Sequence, residues 1–217
     1  ERWRFDPGLP KDIQYSSSAS RGVSLWHGSA AVCPSRIFLG TLIGELIALD
    51  ALTGEPCSDF GVNGRVDLST GAGSIELGEY SITSPPAILG DLVIVGSAIG
   101  DNRATDLERG IVRAIDAQTG SIQWLWDPIP KSTNDKAGAT WNGGSNLSTG
   151  AANAWAPLTA DPSSGLIYVP TSSPSPDFFG GERLGDNLYS NSIVALNGFT
   201  GEVVWFQQLV HHDLWDY

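Results

Sequence analysis

Three stretches repeat one pattern: ALDALTGEPCS at Ala48–Ser58, AIDAQTGSIQW at Ala114–Trp124 and ALNGFTGEVVW at Ala195–Trp205. Each contains Ala-x-(Asp/Asn)-x-x-Thr-Gly, and the second and third place a Trp four residues after the Gly. An Asp or Asn side chain can accept hydrogen bonds from the backbone two residues on, and Gly tolerates positive φ, so the shared segment is a tight turn. What precedes it is apolar and β-rich: ELIALDALTG, IVRAIDAQTG and SIVALNGFTG each follow an earlier run, RIFLG at 36–40, DLVIVG at 91–96 and GLIYVP at 165–170. Runs of 4–7 residues rich in Val, Ile, Leu or Tyr, bounded by Gly, Pro, Asp or Ser, are strands rather than helices.

Each unit is therefore expected to be an antiparallel meander of about four strands. One such sheet cannot bury both faces, but a ring of them can, and a flat Trp at a fixed position can wedge between neighbours. The reading is all-β: part of a β-propeller, about three blades plus partial blades at both ends. Trp3, Trp124 and Trp205 are expected at equivalent inter-blade positions. Ser58 stands where the first repeat would have its Trp, so that blade should pack differently. The turns are 66 and 81 residues apart, more than the roughly 40–50 residues of compact blades. The excess lies in loops rich in Gly, Ser, Asn and Pro at 69–83, 99–110, 131–154 and 172–190, where a rigid scaffold usually holds ligands. The opening ERWRFDPG and the closing HHDLWDY read as scraps of further blades, so residues 1–217 are expected to be an open arc, truncated at both ends.

Composition narrows the rest. A net charge of −12 argues against nucleic acid and anionic lipid as partners. No run of eighteen apolar residues suits a membrane helix. The two cysteines, Cys33 and Cys57, form no metal or haem motif. They could meet at one end of the first sheet as a disulfide that partly replaces the missing Trp, or remain two buried thiols.

With these blades, SRGVSLW at 20–26, TSPPAILGD at 83–91, NAWAPLTAD at 153–161, GDNLYSNSIVAL at 185–196 and VHHDLWDY at 210–217 make the chain resemble the quinoprotein dehydrogenases. These are eight-bladed propellers carrying pyrroloquinoline quinone (PQQ) and a calcium-type metal. Val-His-His-Asp-Leu-Trp-Asp and Asp101-Asn102 are most similar to the membrane-bound glucose dehydrogenase branch and its quinate and polyol relatives. Where that branch has a His shortly before the Arg of its RGV motif, this chain has Ser16-Ser17-Ser18-Ala19.

The resemblance implies a site. Trp155 would stack on the quinone; a core or inter-blade Trp is the alternative. Arg21 would pair with a quinone carboxylate through its planar fork, against the commoner role of a solvated surface Arg. Thr83 and Ser97 would donate hydroxyl hydrogen bonds. Asp101 and Asn187 would ligate Ca2+ (or Mg2+), which prefers several oxygen ligands, with Asn102 a spare; Asx-turn capping is the plainer role for each. His211, His212, Asp213 and Asp216 read mainly as structural. The catalytic base and a further cationic contact to the quinone are expected beyond residue 217, so no catalytic residue is assigned within the chain. The implied activity is oxidation of a sugar or polyol, of glucose or quinate type, with electrons passed to ubiquinone. The implied location is the periplasm, attached to the inner membrane through segments outside this stretch. A quinoprotein alcohol dehydrogenase, and a non-enzymatic propeller scaffold of outer-membrane assembly, are the rival readings.

Overall fold

The computed structural model describes residues 1–216. It contains three four-stranded antiparallel sheets, each a meander. Blade I has β1 (Ser24–His27), β2 (Ser35–Gly40), β3 (Glu45–Asp50) and β4 (Arg65–Asp67). In blade II, β6 (Ala87–Leu89), β7 (Leu92–Val95), β9 (Val112–Asp116) and β10 (Ile122–Trp126) are joined in that order; β5 (Tyr80–Ser81) and β8 (Ala98–Ile99) pair separately. Blade III has β11 (Thr159–Asp161), β12 (Leu166–Pro170), β13 (Ser192–Asn197) and β14 (Val203–Gln208). The first strands of the blades lie side by side, β6 touching both β1 and β11, as the hub of a propeller requires.

The core lies between blades because successive strand residues face opposite ways. Val93 and Val95 of β7 pack with Phe38, Leu46 and Ala48 of blade I, while Ile94 between them joins Ile167, Val169 and Val194 of blade III. Both faces of blade II are thus covered, and its strands are apolar on both sides.

The repeated turn forms as its sequence dictates. Asp50 Oδ1 accepts from the backbone N–H of Leu52 and Thr53, and Asp116 and Asn197 do the same for their own turns. Gly54, Gly120 and Gly201 all have φ between +74° and +78°. The turn of one blade is also the seat for its neighbour's Trp. The Trp3 indole lies on Gly54 and donates to Ala51 O at 3.2 Å; Trp124 lies on Gly201 and donates to Gly198 O at 3.0 Å. Ala51, Ala117 and Gly198 hold the same place in their turns, one residue after the Asp or Asn. Trp205 pairs with Ala195 as Trp124 pairs with Ala114, so it holds the same strand position, while only Trp3 and Trp124 are seated on a neighbouring turn among the described residues.

Blade I, which lacks the Trp, uses a different plug. After its turn the chain makes isolated bridges at Pro56, Gly61 and Val62 rather than a strand before β4. The N–H of Gly61 donates to Thr119 O at 2.9 Å. Arg36, fully buried, donates to Ala117 O at 3.0 Å and Gln118 O at 2.7 Å. A guanidinium therefore makes the bond to Ala117 O that an indole makes on the other two turns. Cys33 and Cys57 are joined in a disulfide. The bridge does not itself fill the Trp position: it holds together the two segments that grip Arg36, through Val32 O, Cys33 O and the Asp59 carboxylate.

Candidate functional site

The long loops meet on one face of the arc. A cavity of about 210 Å³ is lined by Ser16, Ser17, Arg21, Thr83, Asp101 and Trp155, with Asn153 and the backbone of residues 98–100. Four of the six site residues expected from the sequence, distributed over 134 positions of chain, thus share one opening. Trp155 is held through its carbonyl, which accepts from Ser84 Oγ and, at 3.5 Å, from Thr83 Oγ1. Trp155 remains 44% exposed, unlike the plug Trp124 at 8%. The Arg21 guanidinium sits 4.9 Å from the centre of that ring, and the Arg21 N–H is anchored to Thr83 O at 2.8 Å. A flat aromatic surface and a guanidinium therefore adjoin.

Ser97 lies just behind this wall. Its carbonyl accepts from Asn153 Nδ2 at 2.9 Å, and its buried hydroxyl has no hydrogen-bond partner among the described residues. Buried polar groups without partners are uncommon and point to a ligand or water. Asn187 does not line the cavity. It is fully buried in blade III, its Oδ1 accepting from Arg183 Nη1 at 3.1 Å and its Nδ2 donating to Arg183 O at 2.6 Å.

Two further carboxylates, Asp177 and Asp216, complete the picture. Asp177 is 3% exposed; its N–H donates to Asn102 Oδ1 at 2.9 Å and its Oδ2 accepts from Asn102 Nδ2 at 3.3 Å. Asn102 is thus a tie between the loops of blades II and III. Burial, then the charges of Asp101 and Asp216, push the Asp177 carboxyl up to about 7. Desolvation, then Asp216, also raises Asp101 above its ordinary range, with Arg103 opposing. Three negative groups from three loops are therefore close enough to disturb one another. No cluster of three or more His, Cys, Asp or Glu among the described residues forms a ready metal cage. By contrast, His212 and Asp213 are absorbed in local bonds: His212 Nδ1 lies 2.9 Å from Gly185 O, and Asp213 accepts from Ser173, Asn191 and the Trp215 N–H. Asp177 sits in SPSPDFF and Asp216 in LWDY. Nothing in the sequence marks Asp177, and Asp216 reads there as structural; only the fold brings both toward Asp101.

The donor set suits a flat polycarboxylate. An exposed aromatic face, a guanidinium beside it, and an orphaned hydroxyl with further hydroxyls around the rim match the needs of PQQ.

Comparison with known proteins agrees. The family model described as PQQ: glucose/ethanol/alcohol dehydrogenase, β-propeller domain, matches residues 1–217. The chain is 34% identical over its whole length to quinoprotein glucose dehydrogenase A of Acinetobacter calcoaceticus, covering 28% of that protein. It is 38% identical over 85% of its length to the quinate/shikimate dehydrogenase (quinone) of Acinetobacter baylyi, covering 23% of that protein. Among solved structures, the quinohemoprotein alcohol dehydrogenase of Comamonas testosteroni superposes with a TM-score of 0.81 at 28% identity, over 100% of this chain and 31% of its own. The chain thus spans under a third of the length of each of these relatives. From the blade repeats, the shared cavity and the match over every residue, the chain belongs to the PQQ-type glucose/ethanol/alcohol dehydrogenase β-propeller family.

Proposed function

We propose that this chain forms part of a PQQ-dependent dehydrogenase that oxidises a sugar or polyol. The observation that carries the reading is the single cavity joining Arg21, Thr83, Asp101 and Trp155. Bound PQQ would supply an ortho-quinone able to accept a hydride. The chain's own residues hold and orient it. Trp155 offers the stacking face, Arg21 pairs with a carboxylate, and Thr83 and Ser97 donate hydroxyl hydrogen bonds. Asp101 supplies a carboxylate to a Ca2+ or Mg2+ ion, whose other oxygen ligands come from amides, carbonyls or groups outside these residues. Asn187 can join only through the second lone pair of Oδ1, since Arg183 uses the first.

Oxidation of an alcohol also needs a group to take the hydroxyl proton. The sequence reading put that base beyond residue 217. Within the described residues Asp216 fits the role: it is exposed, and its charge acts on both Asp101 and Asp177. Asp216→Asn in the full-length protein separates the two cases. A collapse of kcat with PQQ affinity kept assigns the base to Asp216; unchanged kcat returns it to a later segment.

The sugar or polyol assignment rests on the glucose and quinate dehydrogenases among the relatives. Ubiquinone as acceptor and a periplasmic, inner-membrane location follow from the same resemblance. The alternative, a simple alcohol as substrate, is favoured by the structural match to an alcohol dehydrogenase. Parallel turnover assays on glucose, quinate and a primary alcohol decide between them.

A further inference from the structure

Asp101 is delivered by a loop with no strand structure, residues 100–103 after β8, yet the main chain just before it is fixed on both sides. The N–H of Gly100 donates to Glu79 O at 2.8 Å, and Gly100 O accepts from Arg103 Nε at 3.1 Å. A side chain at Gly100 would displace the Glu79 carboxylate. Arg103 in turn is gripped by three acids, two from the loop before β5 and one further along its own loop. Its Nη2 is 2.6 Å from Glu108, its Nη1 is 2.8 Å from Glu76, and its Nε is 3.3 Å from Glu79. Glu108 is 3% exposed, and its other oxygen accepts the Glu76 N–H at 3.1 Å. One guanidinium thus bonds the Gly100 carbonyl, compensates a buried carboxylate and ties its own loop to the one at 76–79.

We propose that Arg103 is a positioning residue for Asp101: it fixes the Gly100 carbonyl and compensates the buried Glu108 behind the loop, so that the Asp101 carboxylate is aimed into the cavity as a cation ligand. The proposal rests on the reading of Asp101 as that ligand. Lys could restore the charge but not the fork that reaches Gly100 O and Glu108 together. Residues that orient a metal ligand typically change metal affinity by about 10–100-fold when removed.

The test is calorimetric titration of Ca2+ alone into the full-length apo-protein. Asp101→Asn should abolish or strongly weaken binding. If it leaves affinity unchanged, Asp101 is not a ligand, and both the site reading and this proposal fail. Given that loss, Arg103→Met should weaken calcium by about tenfold or more, and Arg103→Lys should fall between it and wild type. Arg103→Met strands the buried Glu108, so the double variant Arg103→Met/Glu108→Gln removes that burden. If Arg103 only balances Glu108, the double variant recovers wild-type affinity, and the proposal is overturned with the Asp101 reading intact. If it positions Asp101, the double variant folds as wild type does and remains weakened.

Discussion

At the scale of single residues, two tryptophans have opposite fates. Trp124 is closed over by the neighbouring turn, whereas Trp155 stands in an open cavity with a guanidinium on its ring. Trp155→Ala should therefore leave the melting temperature nearly unchanged and weaken PQQ binding about tenfold, from the loss of roughly 1 kcal/mol of ring interaction plus buried area. Fluorescence titration of the apo-protein with PQQ checks this, and an unaltered Kd would remove Trp155 from the site. Asp177 makes a pH-dependent prediction. Its folded carboxyl is raised to about 7 from an ordinary value of 3.8. Between those values the folded chain keeps a proton that the unfolded chain has released, so stability present at acid pH is lost as pH rises through this window. In chelator-treated protein, Asp177→Asn should flatten that decline and melt higher than wild type at pH 8. Parallel melting curves from pH 4 to 8 would show that Asp177 titrates normally. The sequence could not single out Asp177, because its character comes first from burial by the fold and then from neighbours 76 and 39 positions away, Asp101 and Asp216.

At the scale of the element, the blade turn was legible because its chemistry is local. Asp or Asn at the first position, Gly at the last and alternating strands on either side determine the geometry without tertiary help, and β3, β9 and β13 fall where the pattern puts them. Arg36 was not legible. In the stretch SRIFLG an Arg reads as a solvent-facing residue, yet it shares the inward phase of Phe38 and is wholly buried. The available signal was indirect: a repeat lacking its Trp at Ser58, and a charged residue two before an inward Phe. Removing a buried, fully bonded charge is costly, so Arg36→Met should destabilise by about 2–4 kcal/mol in denaturant unfolding. Reduction of the Cys33–Cys57 bridge, which spans 24 residues, should cost about 3 kcal/mol. Both changes should raise amide exchange at Gly61 and in the turn at 117–120. If exchange rises only near the cysteines, the disulfide does not support the blade I–blade II contact.

At the scale of the whole molecule, three blades arranged about shared inner strands bring loops from positions 16 to 216 to one face. The rigid sheets do what the sequence pattern foretold, while the approach of the Asp177 and Asp216 loops to Asp101 depends on blade geometry that no local pattern encodes. Asn187 illustrates the difference. Its sequence context matches a ligand position, but in the fold its amide is tied up with Arg183. The central claim is that the Arg21–Trp155–Asp101 cavity serves PQQ-dependent oxidation. Its most direct test is dye reduction by the full-length apo-protein reconstituted with PQQ and calcium, on glucose, quinate and simple alcohols. The account predicts turnover with glucose or quinate that requires both additions and is lost in Asp101→Ala. No PQQ-dependent turnover on any of these substrates would contradict it.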